Sequence, residues 1–421
     1  MIRVVKIATL SLVALAGLSA CAGPIGRAEQ PKRAESPMIE EIPAVDPAVQ
    51  RGFENWLVTF KPRAMASGIS ETTWANATRG IRYNPKVIER DRNQAEFTKT
   101  IWQYLDSAVS DTRIENGRAA LREHAALLNQ IEARYGVEKE VVVAVWGMES
   151  NFGNNRGKVL IVPALATLAY DGRRGNFFAQ QFIDALKIIQ AGDTDARHMT
   201  GSWAGAMGHT QFIPSSYLSF AVDFTGDGKR DIWSDNPADA LASTAAYLAR
   251  SGWSKGQPWG VEVRLPQGFN FNLAGKKTKK SPSDWAALGV RTMGGGTVPN
   301  YGPASILLPA GADGPALMIF GNFTAISRYN NADAYVIGVG HLSDRLKGAG
   351  PFVHPWPRDA RSLTQAERSE LQTRLTALGY DTQGTDGMIG ANSIAAIEAY
   401  QRANGLTPDG YASLSLLERL R

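Results

Sequence analysis

Two proline-rich stretches divide this chain of 421 residues and limit how it can fold. The first, residues 22–47, contains five prolines with scattered charges, and the second, residues 349–361, contains three more. Proline fixes one backbone dihedral and lacks an amide proton, so neither stretch can continue a helix or an inner strand. The sequence therefore predicts a long body, residues 48–348, a linker, residues 349–361, and a small C-terminal unit, residues 362–421.

The composition favours folded domains and argues against several classes of partner. The chain is 44% hydrophobic and 20% charged, which is enough to build a packed core. Its formal net charge of +5 is small for this length, and the basic residues are scattered, so we expect no nucleic-acid partner. The single cysteine, Cys21, excludes an internal disulfide framework, a cysteine-based zinc site and a CxxC redox pair.

The N-terminal residues have the pattern of a secretory signal. Arg3 and Lys6 precede an apolar run at residues 7–18. This run is too short to cross a bilayer, which needs about 20 apolar residues. We therefore interpret residues 1–20 as a cleaved signal peptide. Its removal takes away two basic residues and leaves a net charge of +3.

The residues around Cys21 resemble the lipobox of bacterial lipoproteins, since the small residues of the segment LSA come directly before it. The resemblance implies that Cys21 is lipidated and that residues 21–47 form a lipid anchor and flexible linker. Two or more acyl chains hold a protein firmly on a membrane. Ala22, where aspartate would be a retention signal, implies the periplasmic side of the outer membrane. The alternative is an ordinary cleaved signal with a chance cysteine.

The body is predicted to be mainly helical. Apolar residues recur at helical spacing over residues 119–131 and end at Gly136, a plausible C-cap. Residues 138–148 are apolar nearly all round, which indicates a buried helix. Two aliphatic runs, residues 261–265 and 316–320, interrupt the helical pattern and are predicted to pair as a small antiparallel sheet.

The candidate catalytic group is Glu149, in the segment WGMESNFG. It lies at the end of the apolar helix, with Trp146 one turn before it. Burial raises the pKa of a carboxyl group, and a raised pKa lets glutamate act as a general acid near neutral pH. The alternative from these residues alone is a glutamate at a helix end that points into water.

Two further segments combine glycines with polar and aromatic side chains. They are GSWAGAMGHTQFIPSSY, residues 201–217, and SRYNNADAY, residues 327–335. Glycine allows close backbone approach, and hydroxyls, amides and aromatic faces suit the edges and faces of sugar rings. Polar glycine-rich loops are common, so this chemistry alone does not decide their function.

Taken together and in this order, the three segments resemble the membrane-bound lytic murein transglycosylase B family over roughly residues 50–347. The resemblance implies a mainly α, lysozyme-like helical core and an enzyme that cleaves peptidoglycan glycan strands with Glu149 as its single acid and base. It also implies substrate contacts at five positions, which are Ser202, Gln211, Tyr247, Asn330 and Tyr335.

The resemblance also implies a mechanism without a second protein carboxylate. Most glycosidases use two carboxylates. Here the N-acetyl group of MurNAc stabilises the cationic centre, and the C6 hydroxyl of the same sugar attacks C1. The product is a 1,6-anhydro-MurNAc end, and no cofactor is required.

Residues 223–234 resemble an EF-hand loop that binds a metal ion. Oxygen ligands fall at EF-hand spacing, with glycine at the sixth position. Ser234 stands where the bidentate acid belongs. Two interpretations stay open: a weak calcium or sodium site, and a turn whose carboxylates accept backbone amides. The candidate ligands are Asp223, Thr225, Asp227, Lys229 and Asp231.

The C-terminal unit, residues 362–421, resembles the common peptidoglycan-binding domain of three helices. Short leucine- and isoleucine-rich stretches predict three helices, the second capped by Asn392 or Ser393. The implied function is to hold the enzyme on its polymeric substrate, since two linked sites raise the effective concentration.

Other classes of protein agree less well with the sequence. The main alternative is a non-catalytic lipoprotein that binds peptidoglycan and links it to the outer membrane, but the Glu149 segment argues against it. A cysteine peptidase is excluded because Cys21 lies at the predicted lipid site. A zinc amidase is disfavoured because no HxxxH pair occurs among the five histidines, His124, His198, His209, His341 and His354.

Overall fold

A computed structural model describes residues 39–93 and 99–421 of the chain. The predicted signal peptide and Cys21 lie outside the described residues. Helices dominate the body, as the sequence predicted. They are α1 (Pro47–Ala66), α2 (Glu71–Thr78), α3 (Pro85–Arg92), α4 (Ile101–Ala108), α5 (Asp111–Glu123), α6 (Ala125–Tyr135), α7 (Lys139–Ser150), α8 (Ile161–Asp171), α9 (Gly175–Ala191), α10 (Pro214–Phe220), α11 (Ala238–Arg250), α12 (Pro282–Ala287), α13 (Gly321–Tyr329) and α14 (Asp333–Leu346). Within the described ranges, none of the helices has both the length and the hydropathy needed to cross a bilayer.

Short strands complete the body. They are β1 (Val159–Leu160), β2 (Thr200–Gly201), β3 (Gly260–Arg264), β4 (Arg291–Thr292), β5 (Ser305–Leu307), β6 (Pro309–Ala312) and β7 (Ala316–Ile319). Strands β1 and β2 pair with each other, and an antiparallel sheet has the order β4-β3-β7-β5. In its register Val261 lies opposite Met318. The predicted pairing of the two aliphatic runs is confirmed.

Helix α7 is the buried centre of the body. Residues 141–145 are all inaccessible to solvent, because the helix is packed against α5, α11 and α14. The preceding helical stretch is two helices, α5 and α6, which meet at His124. Gly136 ends α6 in the left-handed conformation with φ 63°, so the predicted C-cap is confirmed.

Residues 39–46, which the sequence analysis placed in the first linker, contact the body. The amide of Glu40 donates to the carbonyl of Lys158 at 2.8 Å, and its carboxylate pairs with Arg90 at 2.8 Å. Asp46 then caps α1 by accepting the amide of Ala48. These bonds tie this segment to two separate parts of the body.

The second proline-rich segment, residues 349–361, also contacts the body. The ring of Phe352 stacks on His341 with centroids 4.2 Å apart. Arg358 makes a two-pronged pair with Asp106, both bonds being 2.9 Å. Aromatic side chains between the prolines let this segment pack, although it forms no helix or strand.

The C-terminal unit consists of α15 (Gln365–Ala377), α16 (Ala391–Ala403) and α17 (Leu414–Leu420). Its fully buried core side chains are Leu371, Leu375, Ile397 and Leu417. The expected cap at Asn392 or Ser393 is wrong, because α16 begins at Ala391 with Gly390 as its N-cap, and both residues lie inside the helix. The unit touches the body where the amide of Ala312 donates to Asp409 Oδ2 at 2.9 Å.

Candidate active site

Glu149 is positioned by the last turn of α7 and by a strained exit from it. Three consecutive residues take left-handed backbone angles: Asn151 (φ 51°), Phe152 (φ 57°) and Gly153 (φ 85°). Two of these are not glycine, which is uncommon and persists only where the surroundings enforce it. At Gly153 a Cβ atom would lie 2.6 Å from a ring nitrogen of His209, so the turn and this histidine are in close contact.

The environment of Glu149 shifts its acidity. Burial raises its pKa to about 7. The hydroxyl of Tyr335 donates to Glu149 Oε1 at 2.5 Å, which stabilises the carboxylate and limits the rise. At neutral pH the group is therefore divided between its acid and its base form, as a residue that must give and then take a proton requires.

Tyrosines surround this carboxyl group. Burial, and then the charge of Glu149, raise the pKa of Tyr104 to about 12. The same two causes raise the pKa values of Tyr329 and Tyr335 well above the usual range. These phenols therefore stay protonated and act only as neutral hydrogen-bonding groups. Neither Tyr104, which lies on α4, nor Tyr329 was predicted as a site residue from the sequence.

The second segment forms a tight loop after β2. The amide of Ser202 donates to the carbonyl of Ala206 at 2.7 Å, and the amide of Ala206 donates to Ser202 Oγ at 3.0 Å. Gly208 has φ 69° and lies against the carbonyl of Ile232 too closely for any side chain. Ser202 itself is half-buried, so its hydroxyl closes the turn and remains within reach of solvent.

Gln211 follows in this loop with an unusual backbone, φ 56°. Its side-chain NH₂ group donates to the carbonyls of Arg156 at 3.1 Å and of Gly208 at 2.8 Å. Both amide protons are thus used inside the protein. Its carbonyl oxygen is the atom that can accept a bond from a ligand hydroxyl.

The two other predicted contact residues differ in exposure. Asn330 is exposed, and its Oδ1 accepts the amide of Ala332 at 3.1 Å. Tyr247 is only 8% exposed, and its hydroxyl donates to the carbonyl of Arg328. The ring of Tyr247 packs 4.8 Å from that of Tyr329. Tyr247 therefore contributes a buried ring to the base of the site, whereas Asn330 presents a polar group.

Hydrogen bonds join the three candidate segments to one another. Tyr335 bonds Glu149, which links the third segment to the first. The hydroxyl of Tyr329 donates to the carbonyl of Thr210 at 2.5 Å, which links the third to the second. Trp146 Nε1 donates to His209 Nδ1 at 3.2 Å and links the first to the second. The fold thus brings together segments whose hydrogen-bonded residues, Glu149 and Tyr335, lie 186 positions apart in sequence.

The candidate metal loop holds a cluster that differs from the predicted ligand set. Carboxylate oxygens of Asp223, Asp227 and Asp239 lie within 4.8 Å of one another. Asp239, on α11, was not predicted. Asp231 lies outside this cluster, and its Oδ1 accepts the amides of Trp233 at 2.9 Å and Ser234 at 3.1 Å. The predicted positions Thr225 and Lys229 contribute no carboxylate.

Comparison with known proteins identifies the family. Residues 52–344 match the family described as transglycosylase SLT domain, which is more than half of the chain. The chain belongs to the transglycosylase SLT family. The transglycosylase also matches a putative peptidoglycan binding domain at residues 364–420. These matches confirm the expected relationship to membrane-bound lytic murein transglycosylase B. They also confirm the expected class, a peptidoglycan lytic transglycosylase, and the mainly α, lysozyme-like fold.

The similar proteins include enzymes of known structure. The transglycosylase is 34% identical over 251 residues to membrane-bound lytic murein transglycosylase B of Escherichia coli, an alignment that spans 58% of this chain and 66% of that protein. SltB3 from Pseudomonas aeruginosa, solved in complex with NAG-anhNAM-pentapeptide, is 49% identical in sequence to this chain. The two structures superpose with a TM-score of 0.85 over 88% of this chain and 99% of SltB3. Slt35 of Escherichia coli in complex with calcium is 29% identical, with a TM-score of 0.60 over 72% of this chain and 94% of that one.

Proposed function

We propose that this transglycosylase cleaves the β-1,4 bond between MurNAc and GlcNAc with Glu149 as acid and then base, leaving 1,6-anhydro-MurNAc ends. The observation that carries the proposal is the state of Glu149. Its pKa is raised to about 7 by burial and lowered only by the bond from Tyr335. Glu149 then acts without the second carboxylate of two-carboxylate glycosidases, because the N-acetyl group and the C6 hydroxyl of MurNAc take over its roles.

The proposed reaction needs only Glu149, Tyr335 and two groups of the MurNAc substrate. Tyr335 donates to Oε1 of Glu149, so Oε2 carries the transferable proton. Glu149 gives this proton to the glycosidic oxygen while the C1–O bond breaks and GlcNAc leaves with a free hydroxyl. The N-acetyl carbonyl of MurNAc stabilises C1. Glu149 then takes the proton of the C6 hydroxyl as O6 bonds to C1, which returns Glu149 to its acid form without consuming water.

Two solved structures of the SltB3 relative support a glycan with peptide stems as the ligand. They are complexes of that protein with NAG-anhNAM-pentapeptide and with NAG-NAM-pentapeptide. In the present chain we assign the sugar contacts to Ser202, Gln211 and Asn330, whose polar side chains reach solvent. Tyr335 orients Glu149 through its hydroxyl, and the ring of Tyr247 packs against Tyr329.

Mass spectrometry of the products released from purified sacculi tests the proposal. Anhydro-muropeptides are the expected products. Release of free peptides would instead indicate a peptidase or amidase. The remaining alternative, a non-catalytic lipoprotein that links peptidoglycan to the outer membrane, would release nothing and would leave the raised pKa of Glu149 without a role.

We also propose that lipid on Cys21 anchors the protein to the periplasmic side of the outer membrane. The lipobox-like residues before Cys21 support this, as does the similarity to the membrane-bound lytic murein transglycosylase B of Escherichia coli. Replacing Cys21 by serine should abolish labelling with palmitate and leave unprocessed precursor or soluble protein, because no sulfur remains to be acylated. The measurement is fractionation of labelled cells. Unlabelled wild-type protein in the soluble fraction would disprove the anchor.

Asp223, Asp227 and Asp239 fit a weak calcium or sodium site, since three converging carboxylates suit a hard cation. The calcium complex of Slt35 supports this proposal. The competing turn interpretation keeps support as well, because Asp223 accepts the amides of Gly226 at 2.6 Å and Gly228 at 2.8 Å. No step of the proposed reaction needs the ion.

Millimolar calcium should raise the melting temperature. A ligand that binds only the folded state adds about 1–3 kcal/mol at ten to a hundred times its Kd. Replacing Asp227 by alanine should remove this increase, whereas replacing Asp313, an exposed acid outside the loop, should preserve it. The measurement is thermal unfolding from micromolar to ten-millimolar calcium at constant ionic strength. Identical melting curves over that range would leave only the interpretation of this loop as a turn whose carboxylates accept backbone amides.

A further inference from the structure

His209 lies between the helix that carries Glu149 and the end of the candidate metal loop, and it is 4% exposed. Its Nδ1 accepts a hydrogen bond from Trp146, so the ring proton is on Nε2, which lies 2.7 Å from the carbonyl of Ser234. Burial lowers the pKa of His209 to about 4, and the nearby guanidinium of Arg156 acts in the same direction. The ring is therefore neutral, and its Nδ1 is fixed as an acceptor and its Nε2 as a donor.

The backbone carbonyl of His209 makes a second contact with the turn after Glu149, through Ser150. The hydroxyl of Ser150, the residue after Glu149, donates to the carbonyl of His209 at 2.5 Å. That hydroxyl also accepts the amide of Gly153 at 2.9 Å, at the end of the left-handed turn. Ser150 is 1% exposed, so this bond is shielded from water.

Arg156 extends the network to Gln211. The side chain of Gln211 donates to the carbonyl of Arg156 at 3.1 Å. The guanidinium donates to the carbonyls of Trp233 at 2.9 Å and Ser234 at 2.7 Å, and it pairs with Asp235 at 2.6 Å. One hydrogen-bond network thus connects the end of the candidate metal loop, the strained turn after Glu149 and the loop that contains Gln211.

We infer that His209 is a positioning residue, whose ring and carbonyl hold the turn after Glu149 at a fixed distance from Gln211. This inference rests on the proposed function. His209 has no part in the proton transfer, because its ring nitrogens are both used inside the protein. It acts through Trp146 and Ser150, on either side of Glu149 along the chain. Small displacements of an acid from the reacting bond are costly in rate.

Two conservative variants separate the bonds of the ring. In His209→Asn the side-chain oxygen can replace Nδ1 and accept from Trp146. In His209→Gln the side-chain NH₂ group can replace Nε2 and donate to Ser234, but the bond to Trp146 is lost. With a short soluble glycan we expect His209→Gln to lower kcat by about tenfold with KM within twofold of wild type, and His209→Asn to stay within about threefold of wild type.

Trp146→Phe removes the same bond from the other side and keeps an aromatic ring there. We expect it to lower kcat about as much as His209→Gln, and the double variant to be no worse than either single one. Because this variant leaves His209 intact, it tests the bond even if His209→Gln does not fold. Near-ultraviolet circular dichroism and thermal unfolding give the folded fraction to which kcat is normalised.

Several outcomes would overturn the inference. They are equal losses in the two His209 variants, an increase in KM at unchanged kcat, additive losses in the double variant, and a lower melting temperature with unchanged kcat per folded molecule. The last would show that His209 is only structural. A wild-type protein that releases no anhydro-muropeptides would instead overturn the proposed function, so the two failures are distinguishable.

Discussion

The Glu149→Gln variant should fold normally and lose nearly all release of anhydro-muropeptides from sacculi. The two side chains have almost the same shape, but an amide can neither donate an acidic proton to the glycosidic oxygen nor take one from the C6 hydroxyl. General acid–base catalysis is worth roughly 10² to 10⁴-fold in rate, and here one group does both steps. Product mass spectrometry and initial rates measure the loss.

A matched control lies on the same helix. Glu140, in the first turn of α7, is remote from the strained exit that positions Glu149. Replacing Glu140 by glutamine makes the same chemical change and should leave the rate unchanged. Retained activity in a folded Glu149→Gln variant would rule out the assignment, and equal losses in both variants would point to damage to the helix.

The raised pKa makes a second prediction that does not depend on activity. Burial favours the protonated form of Glu149, so its stabilising contribution is complete below the unfolded pKa of about 4.3 and is lost as the pH rises through the folded value of about 7. The neutral glutamine variant does not pay this cost. Above pH 8 it should be more stable than wild type by roughly 3 kcal/mol.

The same titration governs the rate. Cleavage begins with the acid form of Glu149, so kcat/KM of the wild type should fall as the pH rises above about 7.

Denaturant unfolding at pH 5 and pH 8.5 measures the predicted stability difference between the wild type and the Glu149→Gln variant. No difference at the higher pH would show that Glu149 is solvated rather than buried.

Features set by neighbouring residues could be predicted from the sequence. The apolar residues of α7 indicate burial whatever they pack against, and Gly136 ends its helix because glycine tolerates the left-handed conformation. The two aliphatic runs pair because each is a short β-prone segment. Glu149 is different: its helix alone left open a glutamate that points into water, and it was singled out only through the resemblance of its segment to the family.

Features that depend on distant residues could not be predicted. Tyr104 lies on α4 and reaches the carboxyl group only through tertiary packing, and no local pattern marks it. Asp239 belongs to the first turn of α11, yet it completes the carboxylate cluster of a loop that begins 16 residues earlier. Spacing within a loop shows which residues can converge, but not which residue of another element joins them.

The proline-rich segments show a different limit. Proline content correctly predicts that residues 349–361 form neither helix nor strand. It does not distinguish a free linker from an irregular segment that packs, because packing depends on the aromatic rings between the prolines and on the surface they meet. The contacts of Phe352 with His341 and of Arg358 with Asp106 are of the second kind.

Deleting residues 362–421 should separate two activities of the enzyme. Turnover of a short soluble glycan should stay about the same, because Glu149 and the polar atoms around it lie on other elements. Digestion of insoluble sacculi should slow by on the order of ten- to a hundredfold, since the loss of a linked second site lowers the effective concentration of substrate. The measurement compares both rates in the full chain and in the deletion variant.

The control for this deletion weakens the contact of the linker without removing the domain. Arg358→Ala breaks the exposed pair with Asp106, and such pairs contribute only about 0–1 kcal/mol. This variant should digest sacculi like the wild type, because the second site remains attached. If short-glycan turnover collapses in the deletion variant while its folded fraction is unchanged, the C-terminal unit shapes the active site itself. The contact between Ala312 and Asp409 would then be the first to examine, since it joins the unit directly to the body.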